Sequence, residues 1–160
     1  VLISLNEGDK HLFGIIYQPF TDEMFIGFNN SCNYLHKSKT NKIFVKNCKK
    51  ISNAIIHTTD PNMGTNLENF AMSKLRSYCR LSRYSLDAYA YGLLAYGNID
   101  LIVESSMQFY DIQAPLCVIK SAGGFFSDWR GGNNFSDGRI VACGSDHVHK
   151  QVLEILSKYI

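Results

Sequence analysis

The sequence predicts an α/β fold in which an antiparallel strand segment leads into strands that alternate with helices. Three observations carry this. Short runs rich in β-branched and aromatic residues occupy the first fifty positions at hairpin spacing. After Ile51 apolar residues recur at helical spacing between short strand-like runs. A hydrophobic content of 46% over 160 residues is enough for one sizeable core and too little for two independent ones.

Residues 1–5, 11–17 and 24–28 read as strands, separated by Glu7-Gly8-Asp9 and by the turn at 19–23, which makes an antiparallel meander. Residues 29–50 alternate only weakly, through Ile43 and Val45, and carry most of the lysines, so they are expected to form an edge strand and a solvated loop. Residues 54–58 read as a buried strand. Leu67, Phe70, Ala71, Lys74, Leu75 and Tyr78 then follow a 3.6-residue period and predict a helix over 66–78.

A second helix is predicted from Leu86, Tyr89, Ala90, Leu93, Leu94 and Gly97, with Gly97-Asn98 supplying the left-handed stop. Residues 99–103 follow as a strand. A third helix is expected to open at Asp111, with Ile112, Pro115, Leu116 and Ile119 on one face, Pro115 near the first turn, and Gly123-Gly124 as its end. Residues 125–129 and 139–143 read as strands joined by the glycine- and asparagine-rich loop 130–138. Ser145 caps a last helix that turns Val148, Val152, Ile155 and Tyr159 inward. There is no internal repeat and no linker, so the division near residue 51 is read as two layers of one fold.

Charge and composition exclude several functions. A formal charge of +2, with no basic run longer than Lys49-Lys50, gives no electrostatic surface for nucleic acid. The longest apolar runs fall far short of the roughly 20 residues that span a bilayer. Five widely spaced cysteines without a C-x-x-C argue against a disulfide framework and a thiolate zinc site, and fit a reducing, cytoplasmic setting. The chain opens on Val1-Leu2-Ile3 with strand-like alternation and no basic n-region, so it reads as starting mid-fold and not as a signal peptide.

The informative segment is 104–129. Glu104 ends a predicted strand, and Asp111 begins a predicted helix seven residues later. Open α/β layers place ligands where strand ends face helix starts. Asp111 has two readings, a helix cap or a ligand for a hard divalent cation. His147-x-His149 is read as a solvated first turn, because helical residues two apart do not share a face. His57, the cysteines and the tyrosines at 89, 91 and 96 are read as packing residues, the tyrosines with a share in a subunit contact.

Glu104, Tyr110-Asp111-Ile112-x-Ala114, Ala122-Gly123-Gly124 and Asp128-Trp129 together resemble the C-terminal signature of the inositol monophosphatase family of Mg²⁺-dependent phosphomonoesterases. Within that family, Arg83-Tyr84-x-x-Asp87-x-Tyr89-Ala90-Tyr91 and Thr58-Thr59-Asp60-Pro61-Asn62-Met63 look most like the histidinol-phosphatase branch, and Gly14-Ile15-Ile16-x-Gln18-Pro19 extends the similarity along the chain. The resemblance implies a layered αβαβα sandwich, with residues 1–160 as the C-terminal portion of one phosphatase fold (1–50 an antiparallel strand segment, 51–160 an α/β segment). It implies Asp111 as a Mg²⁺ ligand, Glu104 and Asp87 as substrate contacts, a small phosphorylated metabolite as substrate, and a homo-oligomer, in the family usually a dimer.

The family's other metal ligands, an upstream Glu and an Asp-Pro-x-Asp-Gly-Thr loop, are not found in these residues, so no catalytic residue is assigned. The chain alone is expected to be inactive or very weak unless an N-terminal half is supplied in trans. Asp60-Pro61-Asn62-Met63-Gly64-Thr65 is a near match, but Met63 stands where an acid is needed, and a thioether is too soft for Mg²⁺. Ser85-Leu86 stands where the branch carries Gly-Gly, and a leucine there crowds the close backbone approach. The alternatives are an inositol or sugar phosphate phosphatase and, from another class, a non-catalytic fragment or assembly module.

Overall fold

In the computed structural model, residues 1–8 and 10–159 are described; Asp9, in the first predicted turn, lies outside them. The first strands are β1 (Leu2–Glu7), β2 (Lys10–Gln18), β3 (Glu23–Phe28), β4 (Ser31–His36) and β5 (Lys39–Ile43). They form an antiparallel meander in chain order. Residues 31–43 therefore supply two strands and not one, with the lysine-bearing β5 at the sheet edge, where unpaired backbone and charge suit solvent.

After a short 3₁₀ turn at Ile51–Asn53 come β6 (Ile55–Thr58), α1 (Asn66–Tyr78), β7 (Leu81–Tyr84), α2 (Tyr89–Ala95), β8 (Leu101–Glu104), α3 (Phe109–Ser121), β9 (Phe125–Ser127), β10 (Ile140–Cys143) and α4 (Asp146–Leu156). The second sheet runs β7-β6-β8-β10-β9; β6 is parallel to both neighbours and β10 antiparallel to both of its own. No helix is long and apolar enough to cross a membrane among the described residues.

The layers follow from which faces are apolar. Ile16, Phe25, Cys32 and Ile43 of the first sheet pack with α2, α3 and one face of the second sheet in one core. Ile56, Leu101, Val103 and Val141 on the other face pack with Ala71, Met72 and Leu75 of α1 and with Val148, Val152 and Leu156 of α4. The described residues thus build β-α-β-α, four of the five expected layers, and the outer face of the first sheet carries no helix among them. Helix α3 lies close on that sheet because Gly14 and Gly27, paired in register, have no side chain: a Cβ on Gly27 would stand 2.7 Å from the Val118 Cα, and one on Gly14 the same distance from the Ala114 carbonyl oxygen.

Several local expectations are corrected. The sequence reading has no strand at 81–84; β7 has no apolar alternation because it is the sheet edge, with Arg83 and Tyr84 exposed. The second helix starts at Tyr89 and not at Leu86, because Ser85, Leu86 and Asp87 take φ of 70°, 72° and 44°, the left-handed region no right-handed helix contains. The third helix opens at Phe109, so Asp111 is its third residue and Pro115 lies inside the helix, where its ring forgoes the bond to the Asp111 carbonyl. Strand β9 stops at Ser127, since the Asp128 carboxylate accepts the backbone N–H groups of Arg130, Gly132 and Asn134 and winds the chain into a loop. Ser145 does cap α4, accepting from Val148 N; the helix ends at Leu156, which is buried with Val148 and Val152, and Tyr159 lies beyond the helix but packs with Ile155 against the same core.

Candidate active site

The sheet fixes where a ligand can sit. From β6 the chain passes through α1 to β7 on one side, and from β8 it passes through α3 toward β9 on the other, with α1 and α3 on opposite faces. The C-terminal ends of the parallel pair β6 and β8 therefore lie at a switch point, the place where open sheets leave a crevice.

Glu104 closes β8 and is 1% exposed. Its Oε1 accepts the backbone N–H of Thr59 at 3.0 Å and the Thr59 hydroxyl, and its Oε2 accepts the Tyr91 hydroxyl at 2.5 Å. Burial pushes the carboxyl above its ordinary range, the bonds from Thr59 and Tyr91 work against that, and the charge of Asp87 adds to it. Burial likewise pushes the Tyr91 hydroxyl well above the usual tyrosine value. Both Glu104 oxygens are thus held by protein donors, and the carboxylate stands behind the crevice wall.

Asp111 sits at the third position of α3, half-buried, and its Oδ2 accepts the Gln108 backbone N–H at 3.1 Å, so it caps its own helix. Among the described residues its other oxygen accepts no hydrogen bond. Asp87 is exposed, at the end of the left-handed turn that leads into α2; the turn is pinned by the Ser85 N–H, which donates to the Thr59 carbonyl at 2.9 Å. Asp87 and Asp111 come together on one cavity of about 230 Å³, walled also by Leu2, Thr59, Met63, Ala88 and Met107. Larger clefts exist, such as that of about 520 Å³ between 106–109 and 133–138, but its one acid, Asp137, is occupied by Arg130 and Arg139.

The sequence singles out Glu104, Asp87 and Asp111, and the fold brings all three to this crevice: two on its wall, one behind it. The sequence reading does not single out Thr59 or Tyr91 as site residues, although both stand inside the segments that carry the family resemblance. Asp60 is exposed, accepts the Asn62 N–H and does not line the cavity, whereas Met63 does. His147 is exposed as expected of a first turn, but His149 is half-buried, its Nε2 2.7 Å from Ser127 Oγ and its ring stacked on Phe125. His57, on β6, is fully buried, and its ring nitrogens make no well-formed hydrogen bond among the described residues; burial lowers its pKa, with the Tyr84 backbone and the Asp87 charge opposing.

For a metal, the donor set is partial. Carboxylate oxygens at Asp111 and Asp87 suit a hard cation, which takes one or two carboxylates together with substrate phosphate and water. Among the described residues no cluster of three or more His, Cys, Asp or Glu could enclose one.

A sequence model described as the inositol monophosphatase family matches residues 1–160. The chain is 34% identical over 166 residues to the Bifunctional phosphatase IMPL2, chloroplastic, of Arabidopsis thaliana, covering 97% of this chain and 46% of that protein. It is 25% identical to the Inositol-1-monophosphatase of Rhizobium meliloti (strain 1021), covering all of this chain and 60% of that one. An inositol monophosphatase from Zymomonas mobilis superposes with a TM-score of 0.90 at 30% identity, over 98% of this chain and 61% of its own. The chain therefore spans about half the length of the curated relatives it matches.

Proposed function

The chain belongs to the inositol monophosphatase family, and on that premise we propose that it is the substrate-side part of a phosphomonoesterase that hydrolyses a small phosphate ester with Mg²⁺. The observation that carries this is the convergence of Asp87 and Asp111 on one cavity at the switch point of the second sheet. Asp111 would hold the cation through its free oxygen; a bound Mg²⁺ activates water and neutralises phosphate oxygens. Asp87 meets the alcohol portion of the ester. Glu104 acts on that portion from behind the wall, through Thr59.

A finer reading follows the histidinol-phosphatase resemblance. Asp87 is exposed and makes no ion pair among the described residues, so it is available to an ammonium group on the substrate. We therefore propose an amine-bearing alcohol phosphate such as histidinol phosphate, with inositol phosphate as the alternative substrate. With so few carboxylates on the cavity, we propose that residues 1–160 turn over weakly alone and need further ligands from an N-terminal half in trans or a second copy, and that the setting is cytoplasmic.

The test is Mg²⁺-dependent phosphate release from histidinol phosphate and inositol 1-phosphate, by the chain alone and with the N-terminal half of a family member added. We expect negligible release alone, release when the half is added, and a loss of at least about a hundredfold in Asp111→Asn. Asp87→Asn should lower kcat/KM for histidinol phosphate and leave the inositol ester little changed. Release that survives Asp111→Asn overturns the assignment of the metal ligand, and full release by the chain alone overturns the need for further ligands.

A further inference from the structure

Three consecutive residues that are not glycine, Ser85, Leu86 and Asp87, sit in the left-handed backbone region. Nothing in the core explains them, since all three are exposed, Leu86 at 45%. A strained segment persists only where its surroundings over-determine it, and such segments gather at functional sites. The surroundings here converge on one carboxylate. Upstream, the Ser85 N–H is held by the Thr59 carbonyl, and Thr59 is held in turn by its backbone and hydroxyl donors to Glu104 Oε1. Downstream, Tyr89 N donates to Leu86 O at 3.0 Å, Ala90 N to Asp87 O at 3.2 Å and Tyr91 N to Ala88 O at 3.2 Å, which binds the turn to the start of α2. From that start the Tyr91 hydroxyl reaches Glu104 Oε2.

We propose that Glu104 and Tyr91 are positioning residues that close a ring of hydrogen bonds around the strained turn 85–87, clamping both of its ends so that Asp87 and Ala88 stay on the cavity wall. Glu104 is itself fixed: it ends a strand buried on both faces, and its carbonyl accepts the Trp129 indole N–H at 3.2 Å. Its two oxygens face opposite ends of the turn, so the loss of either donor opens the ring while the packing of Tyr91 against Phe126 is kept. The turn is thereby held by polar bonds at one buried point and not by burial of its own side chains. The consequence for substrate rests on the reading of Asp87 given above; the clamp does not.

The test is amide hydrogen exchange of the 160-residue chain by NMR, in the wild type, Tyr91→Phe, Leu86→Gly and the double variant. Tyr91→Phe should speed exchange at Ser85, Tyr89 and Ala90 by about tenfold or more, the loss of one charge-assisted bond, while Met72 and Leu75 of α1 change less than about twofold. Leu86→Gly removes a left-handed leucine and should raise the thermal midpoint by about 2–4 °C. In that background the local effect of Tyr91→Phe should fall below about twofold, because a relaxed turn needs no clamp. Uniform acceleration at all amides, none at the three turn amides, or the same Tyr91→Phe effect in both backgrounds overturns the clamp. Should Tyr91→Phe not fold, an unchanged or lowered midpoint in Leu86→Gly overturns it alone. Where turnover is restored by the added half, Tyr91→Phe should raise KM with kcat held within about twofold; faster exchange at the turn with KM unchanged supports the clamp and overturns Asp87 as a substrate contact.

Discussion

Glu104, Asp87 and Asp111 are three acids with three different situations, and burial separates them. Glu104 has exchanged water for Thr59 and Tyr91, Asp111 spends one oxygen on its own helix, and Asp87 pairs with no cation among the described residues. The positions of Glu104 and Asp111 stand out in the sequence as acids at a strand end and a helix start in a chain only 19% charged, whereas Asp87 is marked only by the family resemblance. Thr59 and Tyr91 do not stand out, since a hydroxyl gives no sign in sequence of which carboxylate it will meet across 45 or 13 residues. His57 makes stability depend on pH. Burial depresses its pKa in the native state, so the unfolded chain binds the proton first as pH falls through about 6.5. The stability it supports is present above that pH and is lost progressively down to its depressed native value. Urea midpoints measured at pH 7.5 and 5.5 should therefore fall further in the wild type than in His57→Leu, and equal drops would show that His57 does not titrate on unfolding.

Among the helices, α1 is legible at both ends, whereas α2 and α3 start elsewhere than their apolar periods place them. Helix α1 lies where its period places it because Thr65 and Glu68 complete a capping box at its start. Helix α2 begins three residues later than its apolar period, because the period counts Leu86 and takes no account of a left-handed turn fixed from Thr59. Strand β7 carries no signal, since an exposed edge strand needs no alternation. The contact between α3 and the first sheet depends on Gly27, and Gly27→Ala forces a Cβ onto the Val118 backbone. We expect it to cost about 1–3 kcal/mol in equilibrium denaturation. A variant as stable as the wild type would mean that α3 can lift from the sheet without loss.

Across the two sheets, α2 and α3 form a layer between them, and the crevice is lined from both sides of it: Leu2 comes from the first sheet, and Thr59 directly follows β6 of the second. The outer face of the first sheet is the opposite case, with Ile3, Leu5 and Phe28 all more than half exposed beside the edge strand β1. An apolar face uncovered among the described residues, next to a strand edge that none of them pairs, should make the 160-residue chain self-associate, so sedimentation should show mass rising with concentration and Leu5→Lys reducing it; a monomer at all concentrations would refute this. Whether this crevice is a hard-metal phosphatase site with Asp111 as ligand can be read by titrating Mn²⁺, which shares the oxygen-donor preference of Mg²⁺, and following paramagnetic broadening of the backbone amides. A cation held by Asp111 should broaden the amides around Gln108, Asp111 and Asp87 selectively, and the broadening should disappear in Asp111→Asn. Broadening that is absent from these residues, or that persists unchanged in Asp111→Asn, would contradict Asp111 as the ligand.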